Sequence, residues 1–210
     1  MSYAEVSGAV SQAGFFGKLP SRGDFLRVGL PRSFTDPWDD CMGRAMAGSR
    51  ALLGEAWLPA WMEAPVWRFA LPAGMCGSEA ALGVWMPSVD RAGRHFPLTL
   101  VQLSPDWRDA GRWLAAAEAA GVAGLVEDLP PEVVLARLTE GNAEPVGLPD
   151  LTAFGDGYAL WWTDGSPFVP AGCLALGALP DAAVFASMID AGLGVAQAGT
   201  EQSERTEETQ

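Results

Sequence analysis

The chain has 210 residues, with 26 acidic and 13 basic side chains, a net charge of −13 and a hydrophobic fraction of 49%. Binding to DNA, RNA or an anionic membrane needs a basic face, and a charge of this sign opposes it. The hydrophobic fraction is typical of a globular protein with a sizeable core and disfavours a disordered or fibrous chain.

The cysteines, Cys41, Cys76 and Cys173, are far apart in the sequence, and His95 is the only histidine. They indicate buried thiols in a reducing compartment, not disulfides or a zinc site. No apolar run is long enough to cross a bilayer, and the N-terminus lacks the pattern of a secretion signal. We therefore expect a cytoplasmic protein that holds no metal and no cofactor.

The first predicted strand is short and ends in a polar turn. Residues 1–13 are polar and rich in alanine, and we predict a loose lead-in. The apolar side chains of residues 14–19 favour a strand, and the turn formers of residues 20–24 follow at once.

A long helix is predicted next. Thr35 and Asp36 supply an oxygen-bearing cap, and Pro37 stands near the first helical position, where its missing N–H is no loss. Apolar side chains recur at helical spacing until Gly54, a plausible stop. The acidic residues near this start would lie in the opening turn, where the helix dipole favours negative charge: Asp36, Asp39 and Asp40. A shorter helix is predicted at residues 57–61.

Three strands are then predicted, at residues 66–71, 82–86 and 96–103. The last two flank a loop, residues 87–95, of about nine residues, which is too long for a tight hairpin and rich in hydrogen-bonding groups. A loop of this kind between two buried strands is a usual place for recognition chemistry.

The rest of the chain predicts helices at residues 107–125 and 131–141, strands at 157–163 and 173–176, and a helix at 181–189. Since several neighbouring strands are joined by short loops, the predicted class is α+β, a three-layer α/β/α sandwich around a largely antiparallel sheet. Residues 14–191 would form a single domain, and residues 192–210 a disordered acidic tail.

Trp161 and Trp162 are adjacent in a predicted strand. Consecutive residues of a strand point to opposite faces, so the pattern predicts that one of the two indoles is exposed. An exposed indole would be a candidate contact for a partner protein.

Two polar loops hold the candidate functional residues: Ser21, Arg22, Asp24, Ser88, Asp90, Arg91 and Arg94. In an acyl-transfer hypothesis, Ser88 is the nucleophile, His95 the base, and Asp90 or Asp24 the orienting group. No Gly-x-Ser-x-Gly elbow surrounds Ser88, and the alternative is that Ser88 and Asp90 cap backbone groups.

The loop arginines suggest a second hypothesis, in which Arg22, Arg91 and Arg94 bind an oxyanion. No P-loop or dinucleotide fingerprint supports a nucleotide. The alternative is that Asp24 and Asp90 pair with these arginines in a salt-bridge network that ties the two loops together.

Four blocks of sequence resemble the type VI secretion-associated family TagF: GFFGKLPSRGDF at residues 14–25, DPW at 36–38, APVWRFAL at 64–71 and GVWMPSVDRAGRHFPLT at 83–99. The resemblance covers about residues 14–105. His95 departs from it, since an aromatic such as tyrosine is expected there. The resemblance implies a cytoplasmic accessory protein of the bacterial type VI secretion apparatus, one that represses the apparatus after translation together with a forkhead-associated scaffold protein.

The leading hypothesis is therefore a binding module without enzymatic activity that contacts the scaffold through its charged loops. It predicts weaker binding for Arg91→Ala or Arg94→Ala. The runner-up is a hydrolase that uses Ser88 or the carboxylates of Asp24 and Asp90, and an anion sensor is the third hypothesis.

Overall fold

The computed structural model describes residues 12–141 and 143–192. The predicted lead-in and tail fall mostly on residues 1–11 and 193–210, which lie outside the described residues. The described chain forms one antiparallel sheet in the order β2-β1-β5-β4-β3-β6-β7. Its strands are β1 (Gln12–Gly17), β2 (Leu26–Val28), β3 (Trp67–Leu71), β4 (Ala81–Met86), β5 (Leu98–Leu103), β6 (Ala159–Thr163) and β7 (Gly172–Leu176).

Helices cover both faces of this sheet, which confirms the predicted α+β class. They are α1 (Arg32–Leu53), α2 (Trp57–Met62), α3 (Ala110–Val126), α4 (Pro131–Glu140), α5 (Thr152–Gly155) and α6 (Ala182–Ile189). One apolar core lies between the sheet and α1, α2 and α6, and a second lies between the sheet and α3 and α4. Within the described ranges, no helix has the length and apolarity that crossing a membrane would require.

The tryptophan pair on β6 corrects a prediction. Trp161 and Trp162 do point to opposite faces of the sheet, but Trp161 is 0% and Trp162 7% exposed. Because helices cover both faces, alternation along the strand sends each indole into a different core, and neither is available to a partner.

The start of α1 also differs from the prediction. The helix begins at Arg32, after Pro31 in an extended conformation, and Pro37 lies inside it. Pro37 therefore leaves one helical carbonyl without its usual N–H donor. The acidic residues predicted for the opening turn, Asp36, Asp39 and Asp40, lie after the first turn of the helix. The end is as predicted: the helix stops at Leu53, and Gly54 follows with φ of 54°, a value that favours glycine.

Trp38 fixes α1 on the sheet. Its side chain is fully buried and stacks on Phe69 of β3, with ring centroids 5.0 Å apart. Its indole N–H donates to the Thr99 hydroxyl on β5 at 3.1 Å. The helix thereby gains both aromatic packing and a directional contact with the centre of the sheet.

We expect Gly83→Ala to destabilise the fold. Gly83 faces Phe69 across β3 and β4, and an added Cβ would lie 2.3 Å from the Phe69 ring and 2.7 Å from the Leu100 carbonyl oxygen. Phe69 is buried, so its ring has little room to move. The overpacking should lower the free energy of unfolding by about 1–3 kcal/mol, measured by urea unfolding.

The matched control is Gly43→Ala on the exposed side of α1, where an added Cβ meets nothing within 4 Å. Alanine is the better helix former, so this variant should gain up to about 1 kcal/mol. Equal stabilities for the two variants would contradict the packing described around Gly83.

Candidate functional site

The two polar loops lie at the same end of the sheet because of the strand order. β1 and β4 each pair antiparallel with β5, so both strands run in the same direction and their following loops emerge together. We call residues 18–25 and 87–97 the paired loops. Hydrogen bonds to backbone carbonyls help to join them: the Arg91 N–H donates to the Arg22 carbonyl at 3.2 Å, and the Ser88 hydroxyl donates to the Lys18 carbonyl at 2.8 Å.

A buried ion pair lies between the paired loops. Lys18 Nζ is 2.5 Å from Asp90 Oδ2, and the side chains are 3% and 0% exposed. The ammonium also lies 4.3 Å from the centre of the Phe25 ring, a cation–π contact. Lys18 is the only lysine of the chain.

Asp90 is surrounded by hydrogen-bond donors. Its Oδ1 accepts the backbone N–H groups of Ala92 and Arg94, each at 2.9 Å, and its Oδ2 accepts Lys18 Nζ and Arg94 Nε. Burial would raise the pKa of this carboxyl, but the hydrogen bonds from Lys18, Arg94 and Ala92 hold the pKa well below its usual range. Asp90 is therefore a structural anion that orders its own loop.

Arg94 closes the paired loops from the solvent side. Its Nε donates to Asp90 at 2.8 Å, and its Nη2 donates to the Gly23 carbonyl in the other loop. The side chain is still 58% exposed. Ser21 extends the network to the connection between α3 and α4, where its hydroxyl donates to the Leu129 carbonyl at 2.8 Å.

The other predicted site residues are exposed. Arg22, Asp24 and Arg91 lie at the surface of the paired loops, and no ion pair of their side chains is found among the described residues. Of the expected network, the pair of Asp90 with Arg94 is found, whereas the predicted pairing of Asp24 is not found among the described residues. Asp90 pairs with Arg94 and with Lys18, a residue that sequence reasoning missed.

Ser88 and His95 do not form the arrangement that an acyl-transfer site needs. Ser88 is 5% exposed, and its hydroxyl proton is directed at the Lys18 carbonyl. The His95 ring packs edge-on against Trp57 and Trp61, with centroids 5.6 and 6.4 Å away. In the part of the chain that is described, no hydrogen bond joins Ser88 to His95, and no three side chains converge as metal ligands.

His95 is nevertheless chemically unusual. Partial burial lowers the pKa of its imidazole, the charge of Arg50 lowers it further, and Asp90 acts in the opposite direction. The net direction is downward, so the ring is biased towards its neutral form. Arg50, on α1, is a second residue near the loops that the sequence patterns did not single out.

The family model of the TagF N-terminal domain, described as type VI secretion system-associated, matches residues 14–140. Among solved structures, the chain is similar to PA0076 from Pseudomonas aeruginosa PAO1, known from a crystal structure at 2.05 Å resolution. The two are 32% identical with a TM-score of 0.74, and the match covers 85% of this chain and 94% of that one. The comparison with curated proteins gave no match.

Replacing Lys18 should strongly destabilise the protein. Lys18→Met removes the ammonium from a buried pair and leaves the Asp90 carboxylate with fewer donors, which typically costs about 3–5 kcal/mol of unfolding free energy. The measurement is urea unfolding at neutral pH.

Arg44→Met is the matched control, because Arg44 pairs with Asp40 at the surface and the two side chains are 69% and 67% exposed. An exposed pair of this type should change stability by no more than about 0.5 kcal/mol. A Lys18→Met variant as stable as the Arg44→Met variant would contradict a structural role for the buried pair.

The Asp90 carboxyl should also make stability depend on acidic pH. Its pKa is lowered in the folded state from an ordinary value of 3.8, so its stabilising contribution is complete above that value. The contribution declines as the pH falls below 3.8 towards the folded-state pKa. Between about pH 5 and about pH 3, Tm should therefore fall further in the wild type than in Asp90→Asn. Parallel declines in the two proteins would show that Asp90 is not a source of the acid sensitivity.

Proposed function

Because the chain belongs to the TagF N-terminal domain family of type VI secretion-associated proteins, we propose that it is a cytoplasmic accessory protein that represses the secretion apparatus after translation. It does so by binding a forkhead-associated scaffold protein through the paired loops. The choice of the paired loops as the binding surface rests on one observation. Two of the four family-like blocks, residues 14–25 and 83–99, contribute the loops that the Lys18–Asp90 pair joins at one end of the sheet.

The exposed chemistry of the paired loops suits protein recognition. Phe25 is 49% exposed, and its ring packs edge-on against Phe96 with centroids 4.7 Å apart, so it stands in a fixed position. Arg22 and Arg91 are exposed in the same paired loops. Aromatic and arginine side chains are typical of the residues that dominate binding energy at protein interfaces.

The hydrogen-bonded base of the loops lowers the cost of binding. A surface that is already ordered loses less conformational entropy when a partner docks. The partner surface that fits it offers carboxylates to the guanidiniums of Arg22 and Arg91 and an apolar pocket to Phe25.

The contacts of Ser88 and Asp90, two groups of the hydrolase hypothesis, also favour a binding role over catalysis. The Ser88 hydroxyl donates a hydrogen bond to the Lys18 carbonyl, and Asp90 accepts hydrogen bonds on both carboxylate oxygens. Neither is free to attack a substrate without breaking the contacts that hold the loops.

The direct test is Arg91→Glu in a binding assay with the forkhead-associated scaffold. Reversing this exposed charge should weaken the complex by about tenfold or more and abolish repression of secretion in cells, since arginine is a frequent hot-spot residue. Binding is measured by titration calorimetry at low and high salt, and wild-type binding should weaken with salt. Arg94→Ala is a poorer test, because Arg94 also holds the two loops together.

Arg32→Glu is the matched control. Arg32 is an exposed arginine at the start of α1, the part of the helix that contacts the β3–β4 connection through Cys76 and Phe34, at the opposite end of the sheet. It should bind like the wild type. Wild-type binding and repression by a folded Arg91→Glu variant would rule out the paired loops as the contact.

A further inference from the structure

A cleft of about 490 Å³ separates α1 from the β4–β5 loop. Residues 93–96 of the paired loops form one of its walls, whereas Arg22, Phe25 and Arg91, the residues of the proposed scaffold contact, do not line it. Its lining includes Arg50 from the helix and Arg94 and His95 from the loop, and no aspartate or glutamate of the described residues. In a chain of net charge −13, a cleft with only basic ionisable groups is a departure from the rest of the surface.

Arg50 is held in place without an acidic partner. Its guanidinium carbon lies 4.0 Å from the centre of the Trp57 ring, and the Trp57 N–H is fixed by the Ser49 hydroxyl at 2.9 Å. Over residues 12–141 and 143–192, the Arg50 side chain forms no ion pair and no hydrogen bond. Its five N–H donors are therefore available in a fixed plane.

Arg94 and His95 supply the other wall of the cleft. Two of the five N–H donors of Arg94 are used by Asp90 and Gly23, which leaves three donors on an anchored guanidinium. His95 packs edge-on against Trp57, the same indole on which Arg50 stacks. Trp57 thus orients Arg50 and His95, and the Asp90 carboxylate orients Arg94.

From this arrangement we infer a binding site for a small oxyanion, a phosphate or carboxylate group, held by Arg50, Arg94 and His95. Guanidinium forks match the geometry of both groups, and charge-assisted hydrogen bonds to them are strong. Arg94 is partly neutralised by Asp90, whereas Arg50 has no acidic partner among the described residues, so a bound oxyanion would supply the counterion that Arg50 lacks. Gly93 in the wall of the cleft is exposed, and a Cβ added there would meet nothing within 4 Å, so this part of the loop does not crowd the cleft.

The proposed site is coupled to protonation of His95. The charged groups known to act on this imidazole are Arg50 from α1 and Asp90 from its own loop, with Arg94 adjacent in sequence. A bound oxyanion stabilises the imidazolium, so binding raises the pKa of His95, and by linkage the affinity rises as His95 is protonated. The site is therefore expected to bind more tightly as the pH falls towards the lowered pKa of His95 in the free protein.

The chain has one histidine, so proton NMR of the imidazole reports on the site directly. Inorganic phosphate and, separately, acetate are titrated into the full-length protein at constant ionic strength, with chloride as the reference salt. We expect saturable shifts of the His95 resonances with at least one oxyanion and a rise in the pKa of His95 when it is bound. A preference for phosphate identifies a phosphorylated ligand, and a preference for acetate identifies a carboxylate.

Arg50→Gln should weaken oxyanion binding by about tenfold or more, since it removes a charged donor, and should raise the pKa of His95 in the free protein. Arg50→Lys, which keeps the charge, should retain part of the affinity. Arg112→Gln is the control, because Arg112 lies on α3 across the sheet and is half-exposed. The proposal is overturned if neither oxyanion gives saturable shifts, or if Arg50→Gln and Arg112→Gln, both folded by circular dichroism, bind alike.

Discussion

The end of the sheet that carries the paired loops depends on the ion pair between Lys18 and Asp90. Burying either charge alone would be very unfavourable, so each residue requires the other. Lys18 follows β1 and Asp90 follows β4, two strands that do not touch each other but share β5 as a neighbour. The strand order brings the two loops to the same end of the sheet, and the ion pair then holds them against each other. Arg94 and Ser88 add contacts around the pair.

The sheet beneath these loops is covered on both faces, which restricts where a partner can bind. The helices fill one face with α1, α2 and α6 and the other with α3 and α4. Large aromatic side chains such as Trp38 and Trp161 are buried in these cores. The paired loops differ from these cores in that Phe25 is half-exposed and arginines reach solvent.

Much of the fold could be predicted from the sequence, because apolar periodicity and turn residues mark most of the strands and the long helices. The start of α1 could not, because the cap-and-proline pattern at Thr35–Pro37 is equally compatible with a proline one turn inside the helix. Alternation along β6 correctly placed Trp161 and Trp162 on opposite faces of the sheet, but it did not show that helices cover both of those faces. At the site, the two loops were identified, whereas Lys18 and Arg50 were not. Their roles arise from strand order and helix packing, which leave no local pattern.

The burial of Lys18 also determines the surface chemistry of the folded molecule. It is the only lysine, and its side chain is 3% exposed, so the native fold presents no lysine amine to solvent. Amine-directed cross-linkers and acylating reagents therefore have no accessible lysine on the folded domain. Any reaction at Lys18 requires the paired loops to open first. Covalent capture through side chains can instead use the abundant carboxylates or the thiol of Cys173, which is exposed and not buried as predicted.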